Sequence, residues 1–307
     1  RLCRDWSSDV CSSDLKNFEE MVQEVGKIQG FNRVILQERK KNSKIEKVHY
    51  KFFYTPVHKT HSSDDYVLLD IIFESNNYSN VSFYELQSQF VSNIGTAVQI
   101  QMPSLEDLLG DKLTAFAPNT TGIPYLKNEN SMSMEIIKQL YDIGNLFDVV
   151  SDSKIIKTTF DKIVRTETNY RNLKKVSPFK VLEDIYQTSL CISLRGNGGN
   201  GNFAELQSGI QRITGFIFSE PYHLEKAIAH SAKAAYLTQL IATNQTTFEK
   251  YRDSIQVQEA VIKSPHNTRL QKLKRSNTEA FFYWWKATQL VDNYISQRKD
   301  LTKLINK

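Results

Sequence analysis

The chain is 307 residues long, with a formal net charge of +5, 40% apolar and 24% charged residues, and three cysteines. That length suits one large domain or two lobes, and the apolar content is ordinary for a globular protein. No run approaches the roughly 18 consecutive apolar residues of a membrane span, which excludes a transmembrane helix and leaves a soluble, cytoplasmic protein as the expectation.

The first fifteen residues, RLCRDWSSDVCSSDL, raise a question of origin. Asp5 to Leu15 back-translate, codon by codon, into a common short-read sequencing adapter, and Arg1 to Arg4 fit the bases upstream of it. Such scars are set aside before fold reasoning. The expectation is that residues 1–15 are not native, that native sequence starts at Lys16, and that an N-terminal piece is missing. The stretch carries two arginines and three aspartates, so setting it aside moves the net charge from +5 to +6. It also removes Cys3 and Cys11. Cys191 alone can build neither a disulfide framework nor a zinc knuckle, which fits a reducing compartment.

Residues 16–28 follow, where Phe18, Met21, Val22, Val25 and Ile28 recur at helical spacing. Four extended segments come next: RVILQER, VHYKFFYTP, YVLLDIIFES and VSFYELQSQF, rich in β-branched and aromatic residues and parted by polar turns. Between the second and third lies HKTHSSDD (58–65), whose histidines and aspartates are ligand types for zinc but sit in a polar loop; a solvated loop is the expectation. After Met102-Pro103 the texture becomes helical. Ser104 is the expected N-cap of SLEDLLGDKLTAF, with Asp107 three residues on. MEIIKQLYDIGNLFDVV, LEKAIAHSAKAAYLTQLIA, FEKYRDSIQVQEAVI and SNTEAFFYWWKATQLVDNYI continue the apolar spacing of three and four. RGNGGNGN (195–202) lacks the Gly-Lys-Ser/Thr of a phosphate loop and reads as a flexible linker between helices. The fold class expected is α+β, a small mixed sheet lobe followed by a larger helical lobe.

Charge is unevenly placed. Arg33 to Lys59 holds eight Lys/Arg against two Glu, and Lys263 to Lys307 holds ten against three acids. Two basic stretches suit a polyanionic partner such as nucleic acid, and equally suit solvated helix faces and a basic tail. Three ionic residues stand in apolar settings: Asp70 in VLLDIIF, Lys112 in LLGDKLTAF and Asp142 in KQLYDIGNLFD. A carboxylate inside an apolar strand is costly unless a metal or cation compensates it. One ionic residue per rigid element is how phosphate and metal sites are built, while each alone reads as the edge of an apolar face.

PSLEDLLGDKLTAF followed by KQLYDIGNLFD resembles the AbiEii/AbiGii family of abortive-infection nucleotidyltransferase toxins, and VLLDIIFE matches that family's acidic strand at Asp70. LQSGIQRITGFIF and LEKAIAHSAKAAYLTQLI resemble its helical C-terminal lobe. The resemblance covers most of residues 16–240. It implies a truncated nucleotidyltransferase lobe over 16–117 and a helical lobe over 118–307. It also implies transfer of a nucleotide from an NTP to an acceptor, tRNA foremost, in a toxin–antitoxin and phage-defence setting. A winged-helix antitoxin would be the partner and a monomer the state. The cofactor implied is Mg²⁺, clamping an in-line displacement. Its principal ligands in the family are the two aspartates of a Ser-x-Asp-x-Asp strand that follows a Gly-Gly-Ser/Thr turn, and this sequence contains neither element. The implied roles are Asp70 completing the metal site or taking the acceptor's proton, and Lys112 neutralising the triphosphate. Asp142 would position Lys112 or the nucleotide. Lys138, standing where the family has a basic residue before its Tyr-Asp pair, would contact nucleotide. A chain without the Asp pair is expected to be inactive.

A reading from another class is a non-catalytic, nucleic-acid- or protein-binding helical module. KLKRSNTEAFFYWWK (272–286) mixes bases with five aromatics, the composition that holds single-stranded nucleic acid. Five consecutive aromatics cannot share one helix face, and core packing is the expectation for most of them.

Overall fold

The computed structural model describes residues 15–37, 46–57, 64–73, 76–87, 95–246, 248–263 and 267–305. The architecture is α+β. It divides into two compact units, Arg1–Asn77 with Val81–Met102, and Tyr78–Asn80 with Pro103–Lys307. Residues 1–14, which carry nearly all of the adapter-like stretch, and His58 to Ser63 of HKTHSSDD lie outside the described residues.

In the first unit, α1 (Leu15–Gly26) packs on β1 (Arg33–Leu36), which leads an antiparallel sheet ordered β1-β2-β3, with β2 at Glu46–Tyr54 and β3 at Asp65–Phe73. Alternation decides the faces. Tyr50 and Phe52 of β2 turn inward and join Val22 of α1 and Ile71 of β3 in a small buried cluster. Arg33 lies over the Phe53 ring at 4.3 Å and Lys51 over Tyr66 at 4.2 Å. β4 (Val81–Glu85) and β5 (Gln99–Pro103) form a separate pair. β5, QIQMP, was not among the expected strands; it is short, and three of its five residues are polar or proline.

The second unit is helical: α2 (Leu105–Ala115), α3 (Ser133–Val149), α4 (Ser153–Tyr170), α5 (Pro178–Ser193), α6 (Phe203–Ile213) and α7 (Leu224–Thr243). Then come the short α8 (Asn267–Leu270) and α9 (Leu273–Ser276), and α10 (Thr278–Ile305). A two-residue hairpin joins β6 (Leu126–Lys127) to β7 (Asn130–Ser131); Asn128 and Glu129 both take positive φ, as a twist-matched turn requires. Ser104 caps α2 as expected, its hydroxyl accepting from Asp107 N. α7 sits at the centre. It is buried nearly all round, against α3, α5 and α10, and its alanines let those neighbours approach closely. In α10, Phe281 to Trp284 are all buried and Trp285 is half-buried; Trp284 Nε1 donates to Ser193 Oγ at 2.8 Å. The aromatic run is core. Among the described residues no helix is long and apolar enough to cross a membrane.

Two expectations are corrected. FEKYRDSIQVQEAVI (248–262) is not a helix but an irregular segment with one 3-10 turn, Ser254–Val257. Its backbone donors go to side chains instead of to carbonyls four residues back. Glu249 N donates to Tyr236 Oη, Tyr251 N to Tyr283 Oη, and Arg252 N and Asp253 N to Gln256 Oε1. The apolar spacing is real, but Tyr251 and Val257 are drawn onto α10 and its surroundings separately. The second correction concerns RGNGGNGN. It does join α5 to α6, but as a fitted turn packed on α5. A side chain at Gly199 (φ +78°) would collide with the Gln187 carbonyl and the Cys191 amide, and Asn202 caps α6. Cys191 Sγ donates to Gly201 O, and Asn119 Nδ2 to Asn200 O.

Candidate functional site

Lys112 and Asp142 come together. Lys112 lies in the last turn of α2 and Asp142 in the middle of α3, and Nζ stands 3.0 Å from Asp142 Oδ2. The side chains are 14% and 27% exposed, so the pair is sheltered yet reachable from solvent.

Glycine placement explains why these two positions face each other. At 3.6 residues per turn, positions two apart lie about 200° apart around a helix, on nearly opposite faces. Gly110, two before Lys112, is pressed on α4: a Cβ there would come within 2.7 Å of Ile156 O. Gly144, two after Asp142, is pressed on α7, where a Cβ would fall inside the His230 ring. Each helix is seated on its glycine face against a neighbour, and the charged residue projects from the other side. Asp107 completes the seating from beneath. Fully buried, it accepts from Ser79 N (2.8 Å), Asn80 N (2.9 Å), Ser104 Oγ (2.7 Å) and Thr159 Oγ1, which ties the segment before α2 to α4. Asp111 accepts from Tyr78 Oη at 3.2 Å.

Tyr141, beside Asp142, stacks edge-on against Tyr222 at 5.3 Å and hydrogen-bonds Ser219 at 3.2 Å. Tyr222 in turn meets His230 Nδ1 at 3.5 Å. Burial, with the Lys233 and Lys226 charges behind it, pushes the His230 pKa down to about 3, so the ring is neutral. Burial first, and the nearby Tyr141, Glu220 and Asp142 next, push the Tyr222 hydroxyl well up. Neither ring is a proton carrier at neutral pH; together they form a neutral wall beside the ion pair. Lys138 lies one turn before Asp142 on α3 and is half-buried.

Asp70 belongs to the first unit. It stands opposite His49 in the β2–β3 register, and the His49 ring hydrogen-bonds its carboxylate. That buried imidazole compensates a carboxylate placed in an apolar strand. His49 escaped sequence reasoning because cross-strand register is set by pairing, and VHYKFF offers two polar residues, His49 and Lys51, of which only the register puts His49 opposite Asp70. The Asp70 side chain is still 36% exposed. Among the described residues no group of three or more His, Cys, Asp or Glu gathers where it could hold a metal ion. Asp70 is a single carboxylate, where a two-metal centre takes several oxygen ligands.

A family model described as "Nucleotidyl transferase AbiEii toxin, Type IV TA system" matches residues 7–197. The span contains Asp70, Lys112, Lys138 and Asp142, and it begins within the adapter-like stretch. No curated protein and no solved structure matches the chain.

Proposed function

The chain belongs to the AbiEii nucleotidyltransferase toxin family of type IV toxin–antitoxin systems, and on that premise we propose that Lys112 and Asp142 form its nucleotide-handling site, acting on an NTP with an RNA acceptor, tRNA foremost. The family implies a nucleotide substrate and a cognate antitoxin; the finer reading adds a winged-helix antitoxin and a cytoplasmic monomer. The observation that supports the site is the sheltered ion pair at 3.0 Å, held by two helices that are each seated on a glycine.

In this reading Lys112 supplies a compact positive charge to the triphosphate. Asp142 acts as a positioning residue, keeping the ammonium extended and aimed. Lys138, one turn away, adds charge for the same substrate. For Asp70, within the first unit, the proposed role is that of the family's acidic strand residue, a metal ligand or proton acceptor, with His49 fixing one of its oxygens. The transfer is proposed to use magnesium, whose principal ligands would be a Ser-x-Asp-x-Asp strand that this sequence does not contain. This chain by itself is therefore expected to transfer no label from NTPs to total tRNA in the presence of magnesium. Robust transfer would place the catalytic acids among its own residues and remove the roles assigned above.

The direct test is Lys112→Ala, first on NTP binding by this chain, then on growth arrest with a family Gly-Gly-Ser/Thr and Asp-x-Asp segment fused ahead of Lys16. Losing a charge-assisted contact in a partly desolvated cleft costs about 2–4 kcal/mol, roughly 30- to 1000-fold in rate. Lys112→Arg should recover only part of this, because a planar fork does not replace a point charge. Circular dichroism should be unchanged in both. Full arrest from a folded Lys112→Ala protein would take the residue out of the site.

A further inference from the structure

Beyond the family-matched span, residues within 254–258 and 271–278 line an open groove of about 870 Å³ whose lining, among the described residues, holds three cations, Lys272, Lys274 and Arg275, and no carboxylate. The three cations are differently placed. Lys274 is fixed: its ammonium bridges Gln258 O (2.7 Å) and Ala260 O (2.9 Å) and lies 5.7 Å from the Phe281 ring. That clasp holds the irregular segment against α9. Lys272 and Arg275 are exposed, and among the described residues neither is paired with an acid. The nearest acid in sequence, Glu279, pairs with Lys233 at 2.8 Å, and Asp253 is turned into its own capping box, accepting from Ile255 N. Neutral donors complete the wall. Gln271 accepts from Ile262 N through its carbonyl, which leaves its NH₂ group to donate, and Ser254 adds a hydroxyl.

We propose that this groove binds the sugar–phosphate backbone of an RNA strand, through Lys272 and Arg275 as phosphate contacts with Gln271 and Ser254 beside them. An unneutralised pair of cations in a recess lined by hydrogen-bond donors is complementary to successive phosphates. A recess suits a strand better than a membrane surface, which calls for an exposed apolar face beside the charge. The proposal rests on the RNA-acceptor reading for the identity of the polyanion, but not on Lys112 or on transfer.

The experiment measures fluorescence anisotropy of a labelled 12-nucleotide single-stranded RNA with the full chain, without NTP, across a salt series. The double variant Lys272→Glu/Arg275→Glu should weaken binding about tenfold or more. Its slope of log affinity against log salt should shrink by about 0.7 for each phosphate that is no longer neutralised. Lys174→Glu/Lys175→Glu makes the same charge change at exposed positions between α4 and α5 and should leave binding within about twofold. The milder Lys272→Gln/Arg275→Gln should fall between, and thermal melts of all variants should coincide with the parent. Equal losses in the two glutamate doubles would reduce the effect to net charge and overturn the groove. So would an absence of RNA binding by the parent, or competition by poly-glutamate or anionic vesicles that matches RNA charge for charge. Unchanged NTP binding by a folded Lys112→Ala chain with groove-dependent RNA binding intact would count against the nucleotide site and leave the groove standing.

Discussion

His230 is 1% exposed in the middle of α7, with Tyr141 and Tyr222 against its ring and the Lys226 and Lys233 charges nearby. Its folded-state pKa, about 3, lies below the ordinary 6.5, chiefly through burial. The unfolded chain therefore takes up this proton first. The stability His230 contributes is complete above about pH 6.5 and is lost as pH falls from there toward 3, at about 1.4 kcal/mol per pH unit. Asp184 works the other way. Burial raises its carboxyl although Asn119, Thr120 and Thr188 all donate to it, so its own contribution favours the folded state as pH falls. The informative quantity is thus a difference. Urea unfolding at pH 7 and pH 5 should show the parent losing about 2 kcal/mol more than His230→Gln. Equal losses would mean that the ring is not kept neutral in the fold.

At the scale of elements, α2 and α3 are oriented by what they lack. Gly144 leaves room for the His230 ring, and any side chain there forces α3 off α7. Gly144→Ala should destabilise by at least about 1–3 kcal/mol, the usual range for overpacking. Gly144→Ala combined with His230→Ala should recover part of that loss, because the three atoms nearest the added Cβ all belong to the His230 ring. Additive losses in this double-mutant cycle, measured by chemical denaturation, would show that the close approach is not what seats the helix. The same elements meet a second tie. Lys233 of α7, buried, pairs with Asp148 of α3 and Glu279 of α10, each at 2.8 Å. Both acids keep one side toward water, so Lys233→Met should cost less than Lys233→Ala, which also leaves a cavity.

Over the whole molecule, stability is unevenly distributed. The described core of the first unit is Val22, Tyr50, Phe52 and Ile71, while Met21, Val25, Ile35 and Leu36 of the same unit stay exposed. The second unit buries continuous apolar surface from α2 to α10. Free energy of local opening follows the amount of apolar surface buried. In native-state hydrogen exchange, the amides of β2 and β3 should open at least about 3 kcal/mol more easily than those of α5 and α7. Matched protection in the two units would overturn this ranking.

The sequence alone determined whatever is local and periodic. The apolar spacing in α1, α2, α3, α7 and α10, the Ser104 cap, and the β-rich texture of β1 to β4 were legible, as was the family through Asp-Lys and Tyr-Asp on two successive helices. Tertiary structure decided the rest. Residues 248–262 carry a helical pattern, yet their backbone donors found better partners in Tyr236, Tyr283 and Gln256. Asp70 was legible as an anomaly, but its partner His49 depends on strand register. Lys112 and Asp142 were legible as single charges, but their pairing depends on Gly110 and Gly144 pressing two helices onto two others. Propensity and hydrophobic period act over a few neighbouring residues, whereas register and the facing of helices depend on contacts between residues far apart in the chain.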